Sequence, residues 1–212
     1  MGDAYDLAQL QLLDKIGEGP LGNVYKTKEA KKGDILLVKT LSSKEKQVDI
    51  MKSSIYNDFL LNNKVLTNLN YPSIIKYIGF SSIDFNNEEN PSIITEYTEQ
   101  SLLNDIIYLN QNERSKATLD DTQKLIILYG IAATLSFLHS QEILHSDLKP
   151  SNIFLDKDCK IKISDFGISK LFRQKYDENA IFYLSPEIIE SNFTSYTKEG
   201  DIYAFSIIAY QI

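Results

Sequence analysis

Two short segments of the chain carry side chains suited to phosphate chemistry. Residues 145–152 read His-Ser-Asp-Leu-Lys-Pro-Ser-Asn, and Asp165-Phe166-Gly167 begins thirteen positions after Asn152. A carboxylate, an amine and an amide thus fall within six residues, and a second carboxylate follows. Carboxylate and amide oxygens suit Mg²⁺, and a carboxylate beside an amine can handle a hydroxyl nucleophile near a phosphate. The spacing indicates a site for a magnesium-bound phosphate and an attacking hydroxyl group.

The context of these segments resembles the catalytic core of eukaryotic protein kinases, of the Ser/Thr, tyrosine-kinase-like type. A strand-turn-strand pattern over residues 153–163 separates the two motifs, and Ser185-Pro186-Glu187 follows them. The resemblance implies an α+β, two-lobed fold, with a small antiparallel β lobe carrying one helix and a mainly helical large lobe. We expect a leader over residues 1–10, the small lobe over 11–97 and the large lobe over 98–212.

The chain stops within the pattern of the large lobe's central helix, which begins near Gly200-Asp201. We therefore expect an incomplete, C-terminally truncated large lobe with an apolar patch exposed on that helix. The resemblance implies that Asp201 caps the backbone of the segment around Asp147.

The resemblance assigns roles to four polar residues of the large lobe. It implies that Asp147 accepts the proton of the substrate hydroxyl and that Lys149 stabilises charge on the transferring phosphoryl group. Asn152 and Asp165 are the expected Mg²⁺ ligands. His145 is expected to act as a scaffold beneath this loop rather than as a general base.

A second set of residues, in the small lobe, is expected to bind the nucleotide. Gly17, Gly19 and Gly22 form Gly-x-Gly-x-x-Gly, and glycine permits a backbone turn to close over phosphates. A dinucleotide-binding fold would continue into a helix, whereas the residues around Val24 have the pattern of a second strand. Lys39, one strand further on, matches the family lysine that holds the α- and β-phosphates.

Thr95-Glu96-Tyr97 resembles the family's gatekeeper and hinge. The backbone of Glu96 to Thr98 is accordingly expected to hydrogen-bond adenine.

Four positions depart from the family pattern. Leu37 stands where a small residue is usual above adenine, and Asn62 stands where a helical glutamate pairs with the strand lysine. Asp58, one turn earlier, is the candidate to replace that glutamate if the helix shifts. Ala180 replaces a threonine that touches the catalytic residues. Ser146 replaces an arginine that reads a phosphorylated activation loop, which favours constitutive or partner-controlled geometry over a phosphorylation switch.

The elements that must position these residues follow from hydrophobic periodicity. We predict helices over residues 46–69, 102–110 and 120–139, the last with Asp120 or Asp121 as N-cap. Its buried stripe is predicted from every third or fourth apolar residue, and His139 at its end is taken as structural. Residues 84–91 are predicted to form a solvated hairpin loop. The predicted stripe comprises Leu125, Leu128, Ile131, Ala132, Leu135 and Leu138.

Composition narrows the class of partner. The net charge of −7 argues against nucleic acid or an anionic membrane as the main partner. A single cysteine, Cys159, is typical of a reducing compartment, and neither a membrane span nor a secretory signal is present in the pattern. We therefore expect a cytoplasmic protein, and the resemblance to protein kinases implies ATP, Mg²⁺ and a protein substrate as its partners.

These observations favour an ATP-dependent protein kinase that transfers the γ-phosphate to Ser/Thr hydroxyls. The alternative is a pseudokinase that acts as a binding or scaffold module, which the departures at Leu37, Asn62 and Ala180 favour. A P-loop hydrolase is excluded because Gly-x-x-x-x-Gly-Lys-Ser/Thr does not occur in the sequence.

Overall fold

A computed structural model describes residues 5–19, 22–41, 69–98, 101–111, 119–165 and 178–212. The predicted helix over 46–69, with Asp58 and Asn62, lies outside these residues apart from Leu69. The chain divides into two compact units, and a short segment, Tyr71–Ile74, belongs to the second unit. The first unit comprises Met1–Asn70 and Ile75–Tyr97, and the second comprises Tyr71–Ile74 and Thr98–Ile212.

The first unit is built on a five-stranded antiparallel sheet. This sheet, followed along the chain by helices, confirms the predicted fold class. The strands are β1 (Leu10–Gly19), β2 (Gly22–Glu29), β3 (Ile35–Leu41), β4 (Tyr77–Ser81) and β5 (Ser92–Glu96). They lie in the order β1-β2-β3-β5-β4.

The two faces of this sheet carry different residues, because side chains alternate along each strand. Val24 pairs with Lys39, which pairs with Ile93, and Lys26 pairs with Leu37, which pairs with Thr95. The opposite face carries a buried apolar cluster. That cluster comprises Leu7, Leu10, Leu36, Val38 and Ile94.

The expected leader contributes to this cluster. Leu7 is buried within a 3₁₀ turn, Leu7–Gln9, whose N-cap Asp6 accepts a hydrogen bond from the Ala8 N–H. Tyr5 donates its backbone N–H to the Phe80 carbonyl at 2.6 Å and its hydroxyl to Glu29 at 3.2 Å. These contacts attach the segment before β1 to the sheet.

The loop between β4 and β5 is organised around a buried carboxylate rather than simply solvated. Asp84 Oδ1 accepts hydrogen bonds from the backbone N–H groups of Asn86 and Glu88, and Oδ2 accepts one from Asn90 Nδ2. Asp84 itself is only 7% exposed. Such side-chain bonds to nearby N–H groups are the usual way in which an aspartate fixes a turn.

The second unit contains a small sheet and four helices among the described residues. Its strands β6 (Ser101–Leu102), β7 (Ile153–Leu155) and β8 (Ile161–Ile163) form a sheet in that order. The helices are α1 (Leu103–Gln111), α2 (Asp121–Ser140), α3 (Pro186–Glu190) and α4 (Lys198–Gln211). Ile131, Leu135, Ile153, Ile163 and Ile208 are central in their shared core.

Helix α2 begins at the predicted cap, but only part of the predicted stripe is buried, namely Ile131, Leu135 and Leu138. Asp120 and Gln123 form a reciprocal capping box, with bonds of 2.8 and 2.9 Å. The prediction for Leu125 was wrong, because that side chain is 66% exposed, and Ala132 is exposed as well. The helix is apolar on more than one side, so periodicity alone does not select the buried face. The buried residues are Ile127, Ile131, Thr134, Leu135 and Leu138.

Candidate active site

The segment from His145 to Asn152 is fixed from below by one buried carboxylate. Asp201, in the first turn of α4, is 3% exposed. Its Oδ2 accepts the His145 backbone N–H at 2.9 Å, and its Oδ1 accepts the Ser146 N–H at 2.8 Å. Backbone N–H groups that are buried need such acceptors, so Asp201 determines the path of this loop. The expected capping role of Asp201 agrees with these bonds.

His139, at the end of α2, completes this support. Its Nε2 lies 2.8 Å from Asp201 Oδ2, so the same carboxylate oxygen joins helix α2 to the loop. Sequence reasoning gave His139 no role at the site. A histidine six residues before the loop histidine is the only signal in the sequence, and it carries no indication of the distant Asp201.

Asp147, Lys149 and Asn152 lie together on the loop. Asn152 Nδ2 donates to the Asp147 carbonyl at 2.7 Å and to Asp147 Oδ2 at 3.0 Å. Lys149 Nζ lies 3.1 Å from the same Oδ2. The neighbouring ammonium and amide hold this carboxylate in one orientation, which suits it to accept a proton from a hydroxyl group.

The 3₁₀ turn Pro150–Asn152 leads from this cluster into β7, and the paired strand β8 is followed by Ser164 and Asp165. Ser164, which follows β8, donates its backbone N–H to the Asn152 carbonyl at 2.9 Å. Asp165 comes next and has a left-handed backbone, with φ of 62°. A non-glycine residue in this region is uncommon and is found most often at turns and functional sites.

The donor set of Asn152 and Asp165 fits a magnesium ion. Because Asn152 Nδ2 is committed to Asp147, the amide oxygen lies on the other side of the side chain and can act as a ligand. Carboxylate and amide oxygens are hard ligands of the kind Mg²⁺ selects, usually with few protein groups and the remainder from phosphate and water. Within the described residues no group of three or more His, Cys, Asp or Glu is arranged to hold a metal.

His145 is fully buried, and burial lowers its pKa below the ordinary value of 6.5. The carboxylates of Asp201, Asp147 and Asp165 oppose this shift without overcoming it. The ring is therefore neutral near pH 7, and its Nδ1 accepts the Asp147 backbone N–H at 3.2 Å. This agrees with the expected role of a scaffold and not of a general base.

A pH dependence of stability follows from this burial. The unfolded chain binds a proton at His145 more readily than the folded chain, so protonation favours unfolding as the pH falls below about 6.5. We expect the free energy of unfolding to fall between pH 7 and pH 5 in urea titrations. The variant His145→Phe, which cannot titrate, should have a lower free energy of unfolding than the unaltered chain at pH 7. That free energy should fall less between pH 7 and pH 5 than it does in the unaltered chain. An equal loss in both proteins would contradict this assignment.

The expected phosphate-binding glycines lie in the hairpin of β1 and β2. Gly17 pairs with Val24, and Gly19 pairs with Gly22. Gly22 has φ of 131°, a conformation that side chains disfavour, so glycine is required at this position. Val24 in turn pairs with Lys39, which places the lysine one strand away on the same face of the sheet.

The expected adenine-binding backbone begins at the end of β5. The Glu96 N–H donates to the Lys76 carbonyl at 2.9 Å, and the Glu96 carboxylate accepts the Lys76 N–H at 3.0 Å. The Glu96 N–H is thereby used, so a contact from Glu96 to adenine would require its carbonyl oxygen. Thr98, the other expected contact, belongs to the second unit.

Three of the four departures from the family pattern lie at residues that the structure describes. Leu37 lies on the same face as Lys39 and directly between Lys26 and Thr95. Ala180, 5% exposed, lines a depression with Asp147 and Tyr183, where a threonine would have offered a hydroxyl group. Ser146 has φ of 66° and is buried, so an isolated left-handed residue begins the loop.

A five-stranded antiparallel sheet with a glycine turn and a lysine strand, followed by helices that support an Asp-Lys-Asn loop, defines the protein kinase class. Residues 10–212 match the sequence model of the protein kinase domain. The chain belongs to the protein kinase domain family.

Several curated proteins are similar over most of this chain. It is 34% identical over 211 residues to a probable LRR receptor-like serine/threonine-protein kinase of Arabidopsis thaliana, covering 93% of this chain and 19% of that protein. It is 30% identical over 210 residues to Aurora kinase of Saccharomyces cerevisiae, covering 97% and 53%. The serine/threonine-protein kinase pakF of Dictyostelium discoideum is 27% identical over 199 residues, covering 92% and 15%.

The chain therefore spans about half, or much less, of the length of these relatives. Among its described residues no helix has the length and apolar character needed to cross a lipid bilayer.

Proposed function

We propose that this chain is an ATP-dependent protein kinase that phosphorylates Ser/Thr hydroxyls of protein substrates. The observation that carries the proposal is the arrangement of Asp147, with Lys149 at 3.1 Å and Asn152 at 3.0 Å from its Oδ2. The Ser/Thr acceptor is supported by Lys149-Pro150 after the aspartate and by relatives that are named serine/threonine kinases.

The residues of the second unit carry the proposed chemistry. The substrate hydroxyl oxygen attacks the γ-phosphorus of ATP, the bond from that phosphorus to the β-γ bridging oxygen breaks, and ADP leaves. Asp147 orients the hydroxyl group and takes up its proton. Lys149 stabilises the negative charge on the transferring group. A bound Mg²⁺, held by Asn152 and Asp165, would neutralise charge on the phosphate oxygens.

The residues of the first unit carry the proposed nucleotide contacts. The glycine turn of Gly17, Gly19 and Gly22 supplies backbone close to phosphates, and Lys39 pairs with the α- and β-phosphates. Val24, which shares a face with Lys39, packs on the nucleotide.

A thermal-shift titration with ATP, with and without Mg²⁺, tests nucleotide binding. A ligand that binds only the folded state stabilises it by about 2.7 kcal/mol at a hundred times its Kd. We expect a shift that requires Mg²⁺ and that Asp165→Ala abolishes. The exposed Asp158→Ala is the matched control and should keep the shift. Equal shifts for the chain and for Asp165→Ala would contradict the assigned ligand.

A pseudokinase is the second candidate, and two observations favour it. Leu37 occupies the lysine-bearing face beside Thr95, and Ala180 brings no hydroxyl group to the depression it shares with Asp147. Stabilisation by ATP without phosphate transfer, or no stabilisation at millimolar nucleotide, would favour this candidate. Ala180→Thr should then be tested for a gain in transfer.

A further inference from the structure

A cation–π pair occupies one corner of the face that carries Lys39. The Lys26 ammonium lies 4.3 Å from the centre of the Tyr97 ring. Both side chains are partly buried. Contacts of this kind contribute most where water is partly excluded.

The pair joins two segments that are far apart in sequence. Lys26 is in β2, the strand that begins at the glycine turn, and Tyr97 follows directly after β5. In the sheet, β3 lies between β2 and β5 and carries Leu37. The contact therefore spans β3, from the strand that follows the glycine turn to the expected adenine-binding backbone.

Hydrogen bonds also hold the backbone just before Tyr97. Glu96 exchanges two hydrogen bonds with Lys76, one through its backbone N–H at 2.9 Å and one through its carboxylate at 3.0 Å. These bonds hold the backbone just before Tyr97, and the Lys26 ammonium holds its ring. A segment restrained in this way loses less conformational freedom when it binds a ligand.

We infer that Lys26 and Tyr97 form a positioning pair for the base of the nucleotide. The pair holds β2, with its glycine turn, at a fixed position relative to the backbone after β5. The base of the nucleotide then binds to a surface that is already formed. This inference rests on the proposed function, since it concerns how the same site takes up ATP. Lys26 acts through Tyr97 and not by direct contact with the phosphates.

The test measures nucleotide affinity and turnover separately in the 212-residue chain. Lys26→Met removes the ammonium and keeps an apolar stem, and Tyr97→Leu removes the ring. Each should raise the Kd for MgATP about two- to fivefold, the range expected for a partly exposed cation–π contact. The maximal rate at saturating ATP should not change. Tyr97→Phe retains a ring and should restore most of the affinity.

Lys28→Met is the matched control, because Lys28 is an exposed lysine two residues further along the same strand. The double variant Lys26→Met/Tyr97→Leu should be no weaker than the worse single variant, since both remove one interaction. Adenosine should show the same fold-changes as ATP. An effect confined to ATP would mean that Lys26 contacts phosphate, and it would overturn the inference.

The results distinguish a failure of the positioning pair from a failure of the proposed kinase function. If the unaltered chain binds MgATP and Lys26→Met binds it as tightly as Lys28→Met does, the positioning pair is wrong and the kinase function is untouched. If the unaltered chain binds neither ATP nor adenosine, the proposed function and the positioning pair are both overturned.

Discussion

Replacing Asp147 by asparagine should lower the rate of phosphate transfer by about a hundredfold to ten-thousandfold, the range for loss of a general base. Asparagine has nearly the same shape and can still accept the hydrogen bond from Asn152, so the loop should keep its path. What disappears is the negative charge that orients Lys149 and takes the hydroxyl proton. The measurement is transfer of labelled γ-phosphate to a generic protein substrate, with the Mg²⁺-dependent thermal shift recorded in parallel.

The control for this variant is Asp158→Asn, which removes the same charge from an exposed turn of the same unit. It should transfer phosphate at the unaltered rate. If Asp147→Asn were equally active, Asp147 would not be the base. If the unaltered chain bound MgATP but transferred nothing, the pseudokinase would be favoured instead.

Replacing Asp201 by alanine should give the largest loss of stability among the substitutions considered. The change leaves two buried backbone N–H groups, those of His145 and Ser146, without their acceptor, and it removes the partner of His139. Breaking a buried, charge-assisted network costs about 3–5 kcal/mol. For a chain of this size we expect the midpoint of thermal unfolding to fall by about 6–20 °C.

Glu199→Ala is the control for Asp201, because it removes an acidic residue from the same first helical turn at an exposed position. It should lower the midpoint by no more than about 3 °C, since exposed charges near a helix start contribute little. Asp201→Asn retains one acceptor oxygen, so its midpoint of thermal unfolding should lie between those of Asp201→Ala and Glu199→Ala. Equal midpoints for Asp201→Ala and Glu199→Ala would refute the supporting role of Asp201.

Much of the fold was predictable because local patterns and tertiary packing agree. The strand around Lys39 and the cap at Asp120 both appear where the sequence places them. Asp120 succeeds because a capping box depends on neighbours within four residues. The exposure of Leu125 in α2 was not predictable. The helix is apolar on more than one side, and only the elements that pack against it determine which side is buried.

The site was predictable as a set of residues but not as a network. Spacing placed Asp147, Lys149 and Asn152 on one loop, and the structure brings them within hydrogen-bonding distance. The link from His139 to Asp201 spans 62 positions, and no local pattern encodes such a pair. The roles of the glycines, Lys39 and Thr98 in nucleotide binding stay predictions, and so does the consequence of Asn62, which lies outside the described residues.

The attachment of residues 5–10 to the sheet has a practical consequence for anyone who produces this domain. The family match starts at Leu10. Leu7, three positions earlier, is the first buried residue of the apolar cluster on the sheet. A recombinant chain that starts at the family boundary would lack Tyr5 and Leu7. The side chains of Val38 and Ile94, which lie in the same cluster, would then be exposed to water. Expression boundaries drawn from homology alone would therefore remove part of the hydrophobic layer that the strands need.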